Sequence, residues 1–455
     1  MSRSLDGGSK SAGAGSAGTG ADLVLVGKQG REDIVVRGAR VLDPAGGVDA
    51  RLDVRVDGGT IAQLGTRVDA NGHRVVEGAG LVLAPAFVDP HVHLRTPGRE
   101  DEETIASGTA AAAAGGYCAI LAMPNTDPVV DSTEVLRGLR ARAEAEAEVP
   151  VGFMAAITMG QEGSRLTELG ELADAGAAAF TDDGRPVASA GLMRRALEYN
   201  QITGRPLALH CEEPSLTRGG HMHLGAVSAE LGLGGWPALG ESLGVARELA
   251  LAGDTAQPLH LMHLSAGESV ELLRRAQEAG VQATAEVTPH HLCRTDEDVR
   301  SLDPNLKMNP PLRTERDRTA LIEALNDGTI AAIATDHAPH AREEKDVPFE
   351  AAPFGVTGLE TAFAALYTYL VEPGLVRLET LLERLSAGPA RIFGLDPPRI
   401  AVGAPANFVL LDAAAGWRVR EDRFRSRSAN SWLLGERLQG KVVLTVAAGR
   451  VAYEA

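Results

Sequence analysis

Two histidines separated by one residue, His91 and His93, close an apolar run in the segment Asp89-Pro90-His91-Val92-His93-Leu94-Arg95. Side chains alternate along a strand, so both imidazoles of such a pair face the same way. Other apolar runs end in single residues of similar chemistry. His210 ends one and His263 another, Asp182-Asp183-Gly184 ends a third, and Asp336-His337-Ala338-Pro339-His340 follows a fourth. Three histidines, or two histidines and a carboxylate, around an open position make a catalytic metal site. Each residue alone has a plainer reading. A lone His is a hydrogen-bonded core residue, Asp336 a helix cap, and Asp182 or Asp183 a turn residue before Gly184. The co-occurrence of four His and two Asp at run ends points instead to one shared metal centre.

Not every histidine shares this role. His221 and His223 form a second HxH pair, but in the Gly-rich stretch Arg218-Gly219-Gly220, which reads as a surface loop. His260 precedes His263 by three residues, so strand alternation turns it away from the interior. His290 and His291 stay open, one of them being a candidate for the shell behind the ligands. Gly115-Gly116 reads as a turn rather than a phosphate loop.

The elements that must position these groups alternate apolar runs with helical stretches rich in Ala, Leu, Glu and Arg. Eight runs stand out: 86–88, 117–123, 151–157, 177–181, 206–210, 258–264, 281–287 and 330–334. Such alternation implies βα units on a parallel sheet, and eight of them imply a (β/α)₈ barrel over 85–397. The C-terminal strand ends of a barrel converge on its active site, which is where the histidines and aspartates fall. Residues 32–84 and 398–455 carry short alternating runs such as Leu52-Asp53-Val54-Arg55-Val56 and Val442-Val443-Leu444-Thr445-Val446. They read as small antiparallel strands of one β-sandwich domain built from both chain ends. Residues 1–31 are Gly-, Ser- and Ala-rich and read as a disordered tail.

Composition narrows the function classes. The chain has 455 residues, with 44 Lys+Arg against 61 Asp+Glu and a net charge of -17. That acidic balance argues against nucleic acid as a partner, because binding it needs cations against phosphates. No apolar run reaches the ~20 residues of a membrane span. Cys118, Cys211 and Cys293 form neither a disulfide framework nor a CxxC pair, and residues 1–20 lack a signal peptide's apolar core. A cytoplasmic location is expected.

The motifs together resemble one family. Asp89-Pro90-His91-Val92-His93-Leu94-Arg95 with Pro97-Gly98 is similar to the opening signature of the cyclic amidohydrolases. Met123-Pro124-Asn125-Thr126, Asp182-Asp183-Gly184, Asn309-Pro310-Pro311-Leu312-Arg313 and Thr335-Asp336-His337-Ala338-Pro339-His340 resemble the class I dihydroorotases in particular, in order along residues 32–450. The resemblance implies a zinc-dependent barrel with an appended β-sandwich. It implies His91, His93, His210, His263 and Asp336 as ligands of one or two Zn²⁺, with Asp183 joining them where a second ion is present. Arg95, Asn125 and His340 would hold the substrate carboxylate, Asn309 would contact the ring, and Phe354 and Gly355 would add backbone contacts. Thr96 departs from the Glu that follows the Arg in the family.

The implied reaction closes N-carbamoyl-L-aspartate to L-dihydroorotate in pyrimidine biosynthesis, reversibly, with Asp336 moving the proton. The family also implies a homodimer and aspartate transcarbamoylase as a candidate partner. Hydantoinases and allantoinases share the fold but bridge two metals through a carboxylated Lys. No Lys occurs between Lys28 and Lys307, so a carbamate bridge in that stretch is impossible and Asp183 is the natural substitute. A non-catalytic subunit that scaffolds aspartate transcarbamoylase is the other alternative, and such subunits lose ligands that are all kept here. The charged stretch 341–353 reads either as a lid over the site or as a plain solvated loop.

Overall fold

The computed structural model describes residues 31–455, so the expected tail, Arg31 apart, lies outside the described residues. The central part of the chain follows the βα rhythm. Phe87–Val92, Tyr117–Ala122 and Val151–Phe153 form one parallel sheet. Ala208–Leu209, Leu259–Leu261, Ala283–Val287 and Ala332–Ile333 form a second. Phe87–Val92 and Tyr117–Ala122 are buried at every position, as parallel strands are when helices cover both faces. The apolar run 177–181 makes no strand of its own. It contributes isolated bridges from Phe180 to Ala155 and to Leu207, which join the edges of the two sheets. A further bridge pairs Val92 with His337. The run is too short, and too soon followed by Asp182-Asp183-Gly184, to sustain a longer ladder.

Local chemistry sets the helix ends. Ile105–Ala114 starts where the Thr104 hydroxyl accepts from Ser107 N and Ser107 Oγ accepts from Thr104 N. Such capping stabilises a helix by about 1 kcal/mol. It stops at the Gly115-Gly116 turn; a Cβ on Gly115 would lie 2.1 Å from the Leu359 carbonyl oxygen, so only glycine lets the helix end rest there. Glu315–Asp327 starts in the same way on Thr314 and Asp317, and stops at Gly328 in the left-handed region.

Both chain ends meet in one eight-stranded sheet, ordered Arg450–Glu454, Arg437–Ala447, Phe408–Arg418, Val82–Pro85, Ile34–Asp43, Val48–Asp57 and Thr60–Gly65, with Arg74–Glu77 also on Ile34–Asp43. Its buried face holds Ile34, Val36, Val54, Ile61, Phe408, Leu410 and Leu444. This revises the expected set of antiparallel strands in a sandwich. The strands form one continuous sheet, and Arg74–Glu77 and Val82–Pro85 both run parallel to Ile34–Asp43. The sheet curls over its core, bringing the turn at Gly59 against the turn at Gly449. Residues 341–353 are not a plain solvated loop: Arg342–Lys345 is helical, and Lys345, Phe349 and Ala352 are buried.

Candidate active site

The ends of the parallel strands bring the metal-type residues together. His91 and His93 project from the first strand, with ring centroids 5.4 Å apart; the His263 ring lies 5.1 Å from His91, and the His210 ring 4.8 Å from His263. Asp183 stands between the two pairs. Its Oδ2 is 3.7 Å from His91 Nε2 and 3.6 Å from His93 Nε2, while its Oδ1 is 3.7 Å from both His210 Nδ1 and His263 Nε2. Asp336 Oδ1 adds to the first pair, 3.0 Å from His93 Nε2 and 3.4 Å from His91 Nε2. Two overlapping groups of potential ligands result, His91–His93–Asp183 and Asp183–His210–His263. Asp182, as alternation requires, points away: its oxygens accept from Ile157 N, Thr158 N and the Thr158 hydroxyl.

The outer ring nitrogens decide which lone pairs face the centre. His91 Nδ1 donates to Glu286 Oε1 at 2.9 Å, His93 Nδ1 to Asn125 Oδ1 at 3.0 Å and His210 Nε2 to Glu212 Oε2 at 3.0 Å. Each inner nitrogen therefore faces the cluster, where it can offer its lone pair to a metal on release of any proton it carries, the orientation that metal-binding imidazoles require. His91 Nε2 is buried with no hydrogen-bond partner, which is the polar atom a bound cation would satisfy. The residues present fit a metal with nitrogen and oxygen ligands.

Electrostatics and backbone strain agree with this. Burial works against charge on His91, yet Asp336 and Asp183 outweigh it and hold the imidazole well above its ordinary pKa. Burial likewise opposes ionisation of Asp183 and Asp336, but the surrounding histidines, His91 foremost, hold both below the usual carboxylate range. Both carboxylates are anions ready for a cation. Arg95, His263 and Asp336 all have positive φ, of 54°, 30° and 48°. Residues other than glycine rarely adopt that region, and such strain concentrates at functional sites. Asp89 braces the strand from below: it accepts from Thr335 N, the Thr335 hydroxyl and His91 N, tying the His91 strand to the segment that presents Asp336.

A second group lies beside the cluster. Arg95 Nε donates to Pro339 O, and its Nη2 is 3.4 Å from His340 Nε2. His340 Nε2 donates in turn to Phe354 O at 2.7 Å. Gly355 has a φ of 118°, and a Cβ there would sit 2.7 Å from the Ala338 Cβ, so glycine is required. Asn309 has a buried Oδ1 with no hydrogen-bond partner, and its side chain lies within bonding reach of Glu212. Asn125 is placed against the cluster, with Nδ2 donating to Asp183 Oδ2. No hydrogen bond links it to Arg95 or His340 among the described residues.

Four histidines need a new account. His223 is buried rather than on a surface loop, and Arg313 Nη1 lies 3.2 Å from its Nδ1. His260 turns inward, against the alternation argument: its Nε2 donates to Glu286 Oε2, and the other Glu286 oxygen holds His91. The strand ends at Leu261 and the backbone turns at His263, so counting in twos fails between them. His291 bonds Thr288 Oγ1 and Pro310 O, while His290 Nε2 is buried without a partner. Among the described residues neither His290 nor His291 hydrogen-bonds a histidine of the cluster; Glu286, Glu212 and Asn125 do. Glu286 had a sequence signal, an acidic residue inside the apolar run 281–287. Glu212, two residues after His210, had almost none.

Comparison with known proteins places this arrangement. The family described as Dihydro-orotase-like matches residues 80–269. A dihydroorotase of Geobacter metallireducens is 44% identical over 423 residues, 93% of this chain and 100% of that protein. A dihydroorotase of Anaeromyxobacter dehalogenans is 46% identical over 424 residues, 92% of this chain and 98% of that protein. Among solved structures, the L-hydantoinase (dihydropyrimidinase) of Arthrobacter aurescens superposes with a TM-score of 0.84 at 25% identity, covering 93% of this chain and 96% of its own. The dihydropyrimidinase of Brevibacillus agri gives 0.80 at 21% identity, over 92% and 94%, a likeness of fold.

Proposed function

The chain belongs to the dihydroorotase family, and from that premise we propose how its residues perform the family's reaction. It is a cyclic amide hydrolase that interconverts N-carbamoyl-L-aspartate and L-dihydroorotate. The observation that carries the site assignment is the position of Asp183, one oxygen toward each histidine pair. His91, His93 and Asp336 would hold one Zn²⁺, His210 and His263 a second, and Asp183 would bridge them. The bound metal supplies a Lewis acid for the ring amide carbonyl and a water acidified to near neutrality. Asp183 lies where a bridging carboxylate belongs, in a stretch without Lys, so the bridge needs no carboxylated lysine.

The protein's own groups do the rest. Asp336 is held as a carboxylate by His91 and His93, so it can take the proton of the attacking water and pass it to the leaving ring nitrogen. In the synthetic direction the same carboxylate removes the proton from the closing nitrogen. Arg95 and His340 bind the substrate carboxylate, with the Arg fork gripping it bidentately. Asn309 and the backbone of Phe354 and Gly355 meet the ring. Asn125 serves the carboxylate pocket while orienting His93.

The same reading extends to the frame. The bridges at Phe180 and between Val92 and His337 support a closed (β/α)₈ barrel over 85–397, with the curled terminal sheet, 32–84 plus 398–455, as the β-sandwich domain. No described helix is long and apolar enough to cross a membrane, and a cytoplasmic homodimer that meets an aspartate transcarbamoylase completes the proposal. Light scattering of the protein alone and mixed with that enzyme tests the partners. Metal analysis of wild type and Asp183→Ala tests the site. Two zinc ions per chain falling to one or none is expected; unchanged content removes Asp183 from the ligands.

A further inference from the structure

Thr96 stands directly after Arg95, where the resemblance to the class I dihydroorotases implies a glutamate. Thr96 is 2% exposed and its hydroxyl is buried with no hydrogen-bond partner, so it cannot act in place of a carboxylate. A carboxylate reaches Arg95 from another position. Glu102, also 2% exposed, places Oε2 2.9 Å from Arg95 Nε. Its Oε1 accepts from His340 Nδ1 at 3.1 Å and lies 2.9 Å from Arg99 Nη2. Arg99 in turn pairs with Glu344 Oε1 at 2.7 Å, on the short helix that follows His340. One buried carboxylate thus touches both residues assigned to the substrate carboxylate, and ties them to the segment beyond.

We propose that Glu102 is the positioning residue of the substrate-carboxylate pocket, holding Arg95 and His340 from behind so that Arg95 presents its remaining donors to the substrate and His340 the Nε2–H that otherwise rests on Phe354 O. The geometry gives the reason. Arg95 Nε is occupied by Pro339 O and Glu102, and this leaves the Nη1–Nη2 edge, the one that grips a carboxylate through two parallel bonds. An arginine side chain has many rotamers, and fixing it in advance removes an ordering cost that substrate binding would otherwise bear. His340 is fixed likewise: its Nδ1 is committed to Glu102, so only Nε2 faces the pocket side, where Phe354 O and Arg95 lie. Arg99 keeps Glu102 itself in place and offsets part of its charge, so the pocket stays attractive to an anion.

The inference rests on Arg95 reading the substrate carboxylate, and the experiment separates the two. Kinetics with L-dihydroorotate and with its carboxamide, which lacks the charge, are measured on wild type, Glu102→Gln and Arg95→Met, with zinc content and circular dichroism as controls. For Glu102→Gln, KM for dihydroorotate is expected to rise at least about tenfold, the loss of one charge-assisted contact, while kcat stays within about threefold. Efficiency on the carboxamide is expected to be unchanged. Equal losses on both substrates would mean a merely structural role and overturn the proposal. So would an unchanged or lower KM, since a carboxylate that only dampened the pocket's positive charge would, once removed, strengthen anion binding. An Arg95→Met variant with unaltered dihydroorotate KM would instead overturn the underlying site reading. Should Glu102→Gln not fold, Glu102→Asp keeps the charge and shortens its reach. It is expected to raise KM for dihydroorotate alone, and an unchanged KM there overturns the proposal.

Discussion

Asp336 is the residue on which chemistry and metal binding meet. It faces His91 and His93 and is held ionised by them, so the proposed mechanism gives it both roles, ligand and proton carrier. Asp336→Asn keeps shape and removes the basic oxygen. Turnover is expected to fall by at least about a hundredfold, the lower end of general acid–base contributions, with the dissociation constant of a carboxylate-bearing inhibitor changed little. Steady-state kinetics with calorimetry and metal content checks this; near-normal turnover would remove Asp336 from the proton path. Arg95 differs in kind, because in the proposed mechanism it reads the substrate rather than acting on the ring. Arg95→Met is expected to lower kcat/KM for dihydroorotate at least about tenfold, since a charge-assisted hydrogen bond contributes about 1.5–3 kcal/mol. Dihydrouracil, which lacks the carboxylate, is expected to be a poor substrate of the unaltered protein.

At the scale of elements, the strands supply more than attachment points. Ala283–Val287 contributes no ligand, yet its Glu286 holds His91 with one oxygen and His260 with the other. Burial opposes that charge, but His260 and His91 hold the carboxyl down at about 2. It is an anion throughout the physiological range, and it sets the tautomer and basicity of His91, the proposed ligand it stands behind. Glu286→Gln is expected to weaken zinc binding by about 10–100-fold with the ligands intact, as loss of such partners does elsewhere. Competition against a calibrated chelator measures it, and an unchanged affinity would reduce Glu286 to a packing role. The neighbouring strand ends are braced by carboxyl groups of a different kind, Asp89 onto Thr335 and Asp182 onto Thr158, whose pKa values burial pushes up to about 7 and about 6.

For the whole molecule, the segment after Asp336 shows how function and stability are joined. Lys345 is buried, and its ammonium donates to Pro304 O and Pro353 O. Burial pushes its pKa down to about 7. The sign follows from linkage. The folded-state pKa lies below the unfolded value of about 10.4, so burying the charge costs most below pH 7 and the cost shrinks as pH rises from there. Lys345→Met is therefore expected to change the melting temperature more favourably at pH 6 than at pH 9. Paired thermal melts at the two pH values check it; equal changes would mean that the group keeps its ordinary pKa when folded.

Much of this protein was legible before any coordinates. The alternation of apolar runs with helical stretches forces parallel βα units, because a strand buried on both faces reads as a continuous apolar run. The residues ending those runs are His91, His93, Asp183, His210, His263 and Asp336, and the structure gathers them because strand ends at one edge of a parallel sheet share a face. The absence of Lys from 29 to 306 excluded a carbamate bridge there by composition alone. Long-range contacts decided what local pattern could not. Glu286 and Glu102 earn their roles from partners 195 and 238 residues away, and although Glu286 interrupts an apolar run, nothing in the sequence names the partner of either. His260 and His223 depart from the sequence expectation because strand periodicity holds only while the ladder continues, and because His223 is buried against Arg313 although Gly219 before it is exposed. The single curled sheet, rather than separate antiparallel strands, was likewise a tertiary outcome. Pairing direction depends on how the chain returns, and both ends had to return to the same core.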